Sequence, residues 1–198
     1  MCANHKVEFI NQKPQQNGYW LIELNVYDTP LAPGDHFHLA QHALQAWLFS
    51  TKGHSSQWLS HIPWPQDLNT TSLNIQSYSV TIDWQRPQCW RVSGLAQAAV
   101  FACAQQRQQH QIDTPMIALL HSREAFPFKP QPARFMLEFA AEAIGACPLL
   151  EDWGVAHRLA SNQALVGCLQ STFDQIPQHW TPSLTTQDWQ IHNLTDLL

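Results

Sequence analysis

One short segment of the chain gathers side chains that could hold an anionic, planar ligand. Arg123, Lys129 and Arg134 are three of only ten basic residues. Phe126 and Phe128 lie among them. Cationic side chains bind phosphate, and aromatic faces stack on rings and cations. The composition of this segment therefore predicts a site for a planar, negatively charged molecule.

The place of this segment along the chain supports the same prediction. It follows residues 116–120, an apolar run typical of a parallel strand that is covered on both faces. Ligands of open α/β sheets bind at the carboxyl ends of such strands. The alternative is a rigid, proline-rich connection whose phenylalanines fill the core, with Arg134 in the first turn of a helix.

A second candidate site is built from histidines. His36 and His38 alternate along a predicted strand, so they point to one face and could present two imidazoles to a divalent metal. His42 would add a third ligand if the chain turns after Leu39. The alternative, which we expect because a metal site needs three converging ligands, is a half-exposed strand with solvated histidines.

The cysteines and serines give little support for covalent chemistry. The five cysteines are odd in number and scattered, with no C-x-x-C pair, which argues against a disulfide framework or a zinc ribbon. We expect reduced, mostly buried structural thiols. No G-x-S-x-G sequence occurs, so nucleophilic catalysis is not predicted. The cysteines are Cys2, Cys89, Cys103, Cys147 and Cys168.

Composition excludes several classes of function. The chain has 198 residues, a net charge of −5 and 13% charged residues, which leaves no basic surface for nucleic acid. Its 7 glycines form no Walker loop and no complete G-x-G-x-x-G. No stretch approaches the roughly 18 apolar residues of a membrane span, and the N-terminus lacks a signal-peptide pattern. We therefore expect a cytoplasmic protein that binds neither nucleic acid nor membrane.

The first part of the chain has the pattern of a small antiparallel β-barrel. In the clearest strand, 19–27, Trp20, Ile22, Leu24 and Val26 alternate with the residues between them. Further strands are predicted at 7–10, 36–39, 46–50 and 72–84, with turns at 12–18 and 53–56 and an irregular stretch at 58–71.

The second part alternates strands with helices, which is typical of βαβ units and a parallel sheet. The predicted fold class is therefore α+β: a small antiparallel β-barrel in residues 1–85, then a reduced nucleotide-binding-type parallel α/β domain in residues 86–198. The segment 178–198 either packs back on this domain or docks on a partner. Strands are predicted at 88–92, 116–120 and 155–159, and helices at 95–109 (opened by Gly94 and apolar on one side), 135–145, 148–153 and 167–176.

Five segments in this order resemble the ferredoxin-reductase superfamily, nearest to its dihydroorotate dehydrogenase electron-transfer subunits. Residues 31–39 (LAPGDHFHL) resemble the PGQFV strand of those barrels, and residues 46–51 (AWLFST) stand at the flavin-binding R-x-[YF]-S strand. Residues 92–96 (VSGLA) stand at the GGGIGLAP phosphate loop. Residues 116–123 (MIALLHSR) resemble LLLGAR, and residues 149–172 resemble the segment that follows it.

The resemblance implies sites for FAD and NAD. It places Phe49, Ser50 and Thr51 at the isoalloxazine ring, and Gly94 and Leu95 at the pyrophosphate of NAD. Members of the family pass a hydride from nicotinamide to flavin and electrons on to a partner oxidoreductase, so a protein partner is implied as well. For residues 49–51 the alternative is simple core packing.

Three departures from the family weaken these implied sites. In the family, an arginine of the flavin strand contacts the phosphate of the flavin. The first arginine of this chain is Arg86, which comes after that strand. Loss of a charge-assisted hydrogen bond to phosphate typically removes about 1.5–3 kcal/mol. The glycine loop is reduced to Gly94, with Ser93 beside it. Only Cys147 and Cys168 lie in the last third of the chain, so we expect no iron–sulfur cluster.

Two functions remain open at this point. The first is an oxidoreductase component, a flavin- and nicotinamide-linked electron-transfer subunit that acts with a partner. The second is a binding or interaction protein that keeps the fold without flavin or NAD. The missing arginine, glycines and cysteines favour the second, and the family resemblance favours the first.

Overall fold

The computed structural model describes residues 3–27, 30–78, 80–179 and 188–196, which form a closed barrel, a parallel sheet and a two-stranded ribbon. The predicted fold class is confirmed. Two compact units are present: one runs to Val80 and includes Ala98–Cys103, and the other holds Thr81–Gln97 and the residues from Ala104 on. Separate domains at 1–85 and 86–198 are not tested by this division and stay a prediction. Within the described residues no helix is long and apolar enough to cross a membrane.

The barrel unit closes six antiparallel strands in the order β1-β2-β5-β4-β3-β6. Its strands alternate as the sequence predicts: in the second strand Ile22, Leu24 and Val26 are buried and the residues between them are half-exposed. The strands are β1 (Ala3–Pro14), β2 (Trp20–Val26), β3 (Asp35–Leu39), β4 (Leu44–Lys52), β5 (Ser55–Ser60) and β6 (Thr70–Ser77).

Four predicted segments of the barrel have wrong boundaries. The turn assigned to 12–18 begins too early, because β1 stays paired with β2 as far as Pro14 opposite Trp20. The loop at 53–56 and the irregular stretch at 58–71 overlap β5, which pairs with both β2 and β4 through Ser60. The strand assigned to 72–84 ends at Ser77. Pairing across the barrel, which local pattern cannot show, decides each of these ends.

The second unit is built on five parallel strands in the order β12-β11-β8-β7-β13. All seven residues of the central strand β8 are buried, which confirms the covered parallel strand expected from its apolar run. The segment 178–198 was expected either to pack back on this domain or to dock on a partner. Its residues 190–195 form β13, which pairs with β7, so this part packs back on the domain. The strands are β7 (Gln88–Ser93), β8 (Met116–Ser122), β11 (Ala156–Ser161), β12 (Leu169–Gln170) and β13 (Gln190–Thr195), and the ribbon is β9 (Gln131–Pro132) with β10 (Gly145–Ala146).

The long helix begins later than predicted. A 3₁₀ turn, Gly94–Gln97, precedes α1 (Ala98–Gln109). The expected single apolar side is wrong, because residues 98–104 are buried in every direction. Small side chains, mostly alanine, allow neighbours to approach this helix from all around. The short helix predicted at 148–153 is confirmed as α2 (Pro148–Asp152).

Two predicted helices do not form. Residues 135–145 make turns that lead into β10, because the Glu151 carboxylate accepts the backbone N–H of Arg134 at 2.8 Å and of Phe135 at 3.4 Å. Residues 167–176 make β12 and turns, because Gly145 donates its N–H to the Gly167 carbonyl at 2.7 Å. A Cβ at Gly145 would lie 2.8 Å from that oxygen, so only glycine permits the approach. Tertiary contacts override the helix propensity of both segments.

Candidate functional site

The carboxyl ends of the parallel strands surround a cavity of about 370 Å³. Parallel strands all end at one edge of their sheet, so residues far apart in sequence meet there. Ser93 ends β7, His121 lies near the end of β8, and Asn162 directly follows β11. The other lining residues are Arg123, Thr172, Phe173, Asp174, Thr195 and Asp196.

Three of these side chains form a continuous hydrogen-bonded chain. Oγ of Ser93 lies 2.7 Å from Nδ1 of His121, and Nε2 of His121 lies 3.0 Å from Oδ1 of Asn162. An amide oxygen only accepts hydrogen bonds, so Nε2 carries the ring proton. It follows that Nδ1 is the acceptor and that the Ser93 hydroxyl donates to it.

The environment of His121 keeps its ring uncharged. Burial lowers the pKa of His121 below its usual value, although hydrogen bonds to Asn162 and to the backbone of Ser171 act in the opposite direction. The side chain is only 2% exposed. The imidazole is therefore neutral near pH 7 and able to accept a proton.

The turn after β7 holds a carboxylate from the chain itself. Oδ2 of Asp196 accepts the backbone N–H of Leu95 at 3.0 Å, where the helical segment begins. Gly94 has a φ of +61°, and a Cβ built on it would overlap the same carboxylate. Helix N-termini attract negative charge. Asp196 supplies that charge internally.

The structure separates the predicted ligand residues of the segment 123–134. Arg123 is exposed and lines the cavity at the carboxyl edge. Phe126 is buried and stacks on Phe128, with the ring centroids 5.3 Å apart, and Lys129 is exposed. Of this set, Arg123 is brought to the cavity.

Arg134 lies outside any helix, so its predicted place in a first helical turn is wrong. Its Nε donates to Oε2 of Glu151 at 2.8 Å, and another guanidinium nitrogen donates to Oδ1 of Asp152 at 2.6 Å. Burial opposes ionisation of Glu151, but the bonds from Arg134 and from the backbone of Phe135 outweigh it and hold the pKa of that carboxyl below its usual value. Two carboxylates thus already neutralise Arg134.

The residues of the predicted flavin strand have partners inside the barrel unit. Ser50 donates its hydroxyl hydrogen to Oε1 of Gln57 at 2.9 Å. Phe49 stacks on Phe101, with ring centroids 4.5 Å apart. Thr51 follows them on β4 and is half-buried.

The histidines of the predicted metal site have different surroundings. His36 is buried, its Nδ1 lies 3.2 Å from the Gly34 carbonyl oxygen, and its ring stacks on Trp47. His38 is exposed and His42 half-buried. In the described parts of the chain, no three histidine, cysteine, aspartate or glutamate side chains are grouped so as to hold a metal ion.

Four cysteines are free and buried, as predicted for structural thiols: Cys89, Cys103, Cys147 and Cys168. Burial raises the pKa of Cys89 to about 12 and the pKa values of Cys147 and Cys168 to about 11. A thiol with such a pKa is not a nucleophile near neutrality. Cys2 lies outside the described residues.

No protein-family model matches the chain. No curated protein matches it either. Solved structures do, beginning with the Amycolatopsis cytochrome P450 reductase GcoB, at 8% identity and a TM-score of 0.62 over 97% of this chain. The chain spans 61% of that reductase's length.

Two further structures extend the likeness. The flavohem-like FAD/NAD binding domain of nitric oxide dioxygenase from Vibrio cholerae matches at 10% identity and a TM-score of 0.60, over 96% of this chain and 99% of that one. A ferredoxin NADP+ reductase from Neisseria gonorrhoeae, solved with bound FAD and NADP, matches at 6% identity and a TM-score of 0.57, over 99% of this chain and 86% of that one. The fold is ferredoxin-reductase-like. The predicted resemblance is confirmed at that level.

A pyridine dinucleotide does not suit the parallel sheet of this ferredoxin-reductase-like fold. A pyrophosphate at the expected loop would need the amides that begin the helical segment. Leu95 already donates its amide to Asp196, whose charge repels a phosphate. Gly94 is retained, but the space beside its α-carbon contains that carboxylate.

The flavin strand of this ferredoxin-reductase-like fold also departs from what a phosphate-bearing cofactor requires. Ser50 and Phe49 contact Gln57 and Phe101 within the same unit. The first arginine of the chain is Arg86, well beyond the strand. The flavin site at Phe49, Ser50 and Thr51 therefore stays a prediction.

Sequence reasoning missed most of the residues that line the cavity. His121, Asn162 and Asp196 were not singled out, and Ser93 was noted only as the neighbour of Gly94 in the reduced glycine loop. Each lies at or just beyond the carboxyl end of a strand. Polar residues at predicted strand ends were therefore the signal that could have found them.

Proposed function

We propose that this chain is a cofactor-poor relative of ferredoxin-reductase-like electron-transfer domains. Its parallel-sheet unit binds a small polar molecule at the carboxyl edge instead of a pyridine dinucleotide. The observation that carries this proposal is the bond from the Leu95 amide to the Asp196 carboxylate. That carboxylate takes the place of a ligand phosphate at the start of the helical segment.

The volume and the lining of the cavity favour a small ligand over a large one. Its volume of about 370 Å³ is at the lower end of the range for ligand pockets, roughly 300–1,000 Å³. Arg123 contributes positive charge to its wall, while Asp174 and Asp196 contribute negative charge. The lining therefore suits a polar molecule of modest size that carries little net charge.

Titration with NADH, followed by tryptophan fluorescence, tests the proposal. The wild-type protein should not bind NADH at micromolar concentrations, because Asp196 repels its pyrophosphate. Asp196→Asn removes that charge and should bind NADH about ten-fold more tightly than wild type. Asp174→Asn, which removes another carboxylate from the same cavity, is the control and should not gain affinity. Micromolar binding of NADH by the wild-type protein would overturn the proposal.

The likeness to FAD-bearing structures supports a second candidate function. In this version the chain is a cytoplasmic electron-transfer subunit, similar to the dihydroorotate dehydrogenase accessory chain, that binds FAD at Phe49, Ser50 and Thr51 and acts with a partner oxidoreductase. An absorbance spectrum after incubation with FAD and gel filtration distinguishes the two. Retained flavin absorbance supports this second function, and a colourless protein rules it out.

A further inference from the structure

The residue that ends β7 is placed as nucleophiles are placed in α/β enzymes. Ser93 lies at the junction of a buried strand and a helical segment, and Gly94, with φ of +61°, makes the turn between them. Ser93 is opposite His121 in the register of β7 and β8. Asn162 is fixed beside the ring by its backbone N–H, which donates to the Ser122 carbonyl at 3.3 Å.

The direction of the hydrogen bonds sets the role of each group. Asn162 accepts from Nε2 of His121, so Nδ1 is left to accept from the Ser93 hydroxyl. This is the arrangement in which an imidazole removes a hydroxyl proton as the oxygen attacks, with a third group orienting the ring. It uses the ring nitrogens in the reverse order of the serine-protease triad, which the chemistry permits because both can transfer a proton.

Burial keeps His121 neutral, and the charged groups around it act in both directions. Burial lowers the pKa of His121, Arg123 adds to this effect, and Asp196 opposes it. Asp174 lines the same cavity. Ser93, at 6% exposed, and His121, at 2%, lie at the wall of a cavity that admits a small acyl group.

We propose that Ser93, His121 and Asn162 form a nucleophilic site that hydrolyses small carboxylic esters. Ser93 and His121 are its catalytic residues, and Asn162 is a positioning residue that acts through His121. The proposal rests on the proposed function in one respect, that the cavity admits a small polar molecule.

The reaction balances without any further cofactor. Oγ of Ser93 forms a bond to the ester carbonyl carbon while its proton moves to Nδ1 of His121. The bond from that carbon to the alcohol oxygen then breaks, and the alcohol leaves with the proton from Nδ1. Water then attacks the acyl carbon and passes a proton to Nδ1, and the bond from that carbon to Oγ of Ser93 breaks, which releases the carboxylic acid. The hydroxyl of Ser93 recovers that proton from His121.

Covalent labelling of the full chain with diisopropyl fluorophosphate, read by mass spectrometry of its peptides, tests the proposal. The expected result is one diisopropylphosphoryl group on the peptide that contains Ser93. Ser93→Ala should take up none, and His121→Gln should react about 100-fold more slowly because the general base is gone. The control is Ser161→Ala, a buried serine at the end of β11 whose hydroxyl donates to the Glu124 carbonyl; it should label like wild type.

A second measurement separates positioning from folding. Asn162→Asp places a negative charge beside Nε2 and should raise the pH at which the labelling rate is half-maximal, whereas a merely structural role would leave that midpoint unchanged. Circular dichroism verifies that each variant is folded, and Ser93→Cys, which keeps the shape of the side chain, replaces Ser93→Ala if the latter unfolds. The wild-type chain should also hydrolyse p-nitrophenyl acetate in a Ser93-dependent manner.

The outcomes distinguish the two proposals. Absence of label on wild-type Ser93, or equal labelling of wild type and His121→Gln, overturns the nucleophilic site and leaves the proposed function standing if NADH also fails to bind. Binding of NADH by wild type overturns the proposed function. Labelling of Ser93 that depends on His121 supports the nucleophilic site in either case.

Discussion

The two units of this chain differ in where some of their buried polar side chains lie. In the barrel unit, Nε1 of Trp58 donates to Oγ of Ser56 on the same strand at 2.8 Å, and that hydroxyl donates to the Leu24 carbonyl of the neighbouring strand β2 at 3.0 Å. In the parallel-sheet unit, by contrast, Ser93 and His121 bond to each other at the wall of a cavity.

The difference follows from strand direction. Antiparallel strands closed into a barrel surround a packed core, and the hydrogen bonds of Trp58, Ser56 and Ser50 all stay within the barrel unit. Parallel strands bring all their carboxyl ends to one edge, where polar residues are left to meet a ligand. We therefore expect substitutions in the barrel to change stability, and substitutions at the sheet's edge to change binding and reactivity.

The largest loss of stability is expected from a substitution in the barrel core. Trp58 is fully buried and packs edge-to-face on Phe37 with ring centroids 5.0 Å apart. Trp58→Ala should lower the free energy of unfolding by about 3–5 kcal/mol, because it leaves a large cavity. Urea denaturation measures the loss. Trp20→Ala, at a half-buried position of the same barrel, is the control and should cost less; equal losses would contradict the closed-core view of the barrel.

An intermediate loss of stability is expected on acidification, and it arises in the parallel-sheet unit. Nδ1 of His157 donates to the Val155 carbonyl at 2.8 Å, and Nε2 accepts the Cys147 N–H at 2.6 Å, so the buried ring is neutral. Burial lowers the pKa of His157 to about 4. The unfolded chain, with a pKa of about 6.5, binds the proton first, so stability is full above pH 6.5 and falls between pH 6.5 and 4, by about 2–4 kcal/mol.

Thermal denaturation across this pH range measures the effect. His157→Gln should reduce the dependence on pH without abolishing it, since the amide does not titrate whereas His192, whose pKa burial also lowers to about 4, still does. His38→Gln, at an exposed position in the barrel, is the matched control and should leave the slope unchanged. If His38→Gln flattened the slope as much, the acid sensitivity would not belong to the parallel-sheet unit.

The smallest effect is expected at the ribbon beside the sheet. Glu151 is buried and accepts both the backbone N–H and the Nε–H of Arg134, each at 2.8 Å. Glu151→Gln should lower stability by about 1–2 kcal/mol, because charge-assisted bonds become neutral ones and the arginine is largely in water. Asp152→Asn removes the exposed carboxylate on the same arginine and should cost under about 0.5 kcal/mol. Chemical denaturation measures both losses of stability. Equal losses for Glu151→Gln and Asp152→Asn would contradict the view that the buried carboxylate contributes more than the exposed one.

Local pattern predicted much of the fold. The alternation in β2 and the apolar run in β8 are confirmed, because the order of apolar and polar residues within each strand predicts which of them are buried. The segments 135–145 and 167–176 could not be predicted in this way. Their conformation depends on Glu151 and on the approach of Gly145 to Gly167, contacts between residues that are distant in sequence.

The candidate site was predicted less well than the fold. Arg123 was singled out from its neighbours and does line the cavity, whereas Arg134, chosen for the same reason, is neutralised by Glu151 and Asp152. A basic residue has the same appearance in a sequence whether or not a carboxylate lies beside it. Only the packing of α2 against that loop separates the two arginines.

By itself the sequence determined the order of the two units, the buried thiols, and the absence of an arginine before Arg86 or a full glycine loop. Tertiary structure alone decided that Ser93, His121 and Asn162 meet and that Asp196 reaches the Leu95 amide. The physical reason is that composition and periodicity act over a few neighbouring residues. A site at the carboxyl edge of a parallel sheet is assembled from the ends of strands separated by dozens of residues.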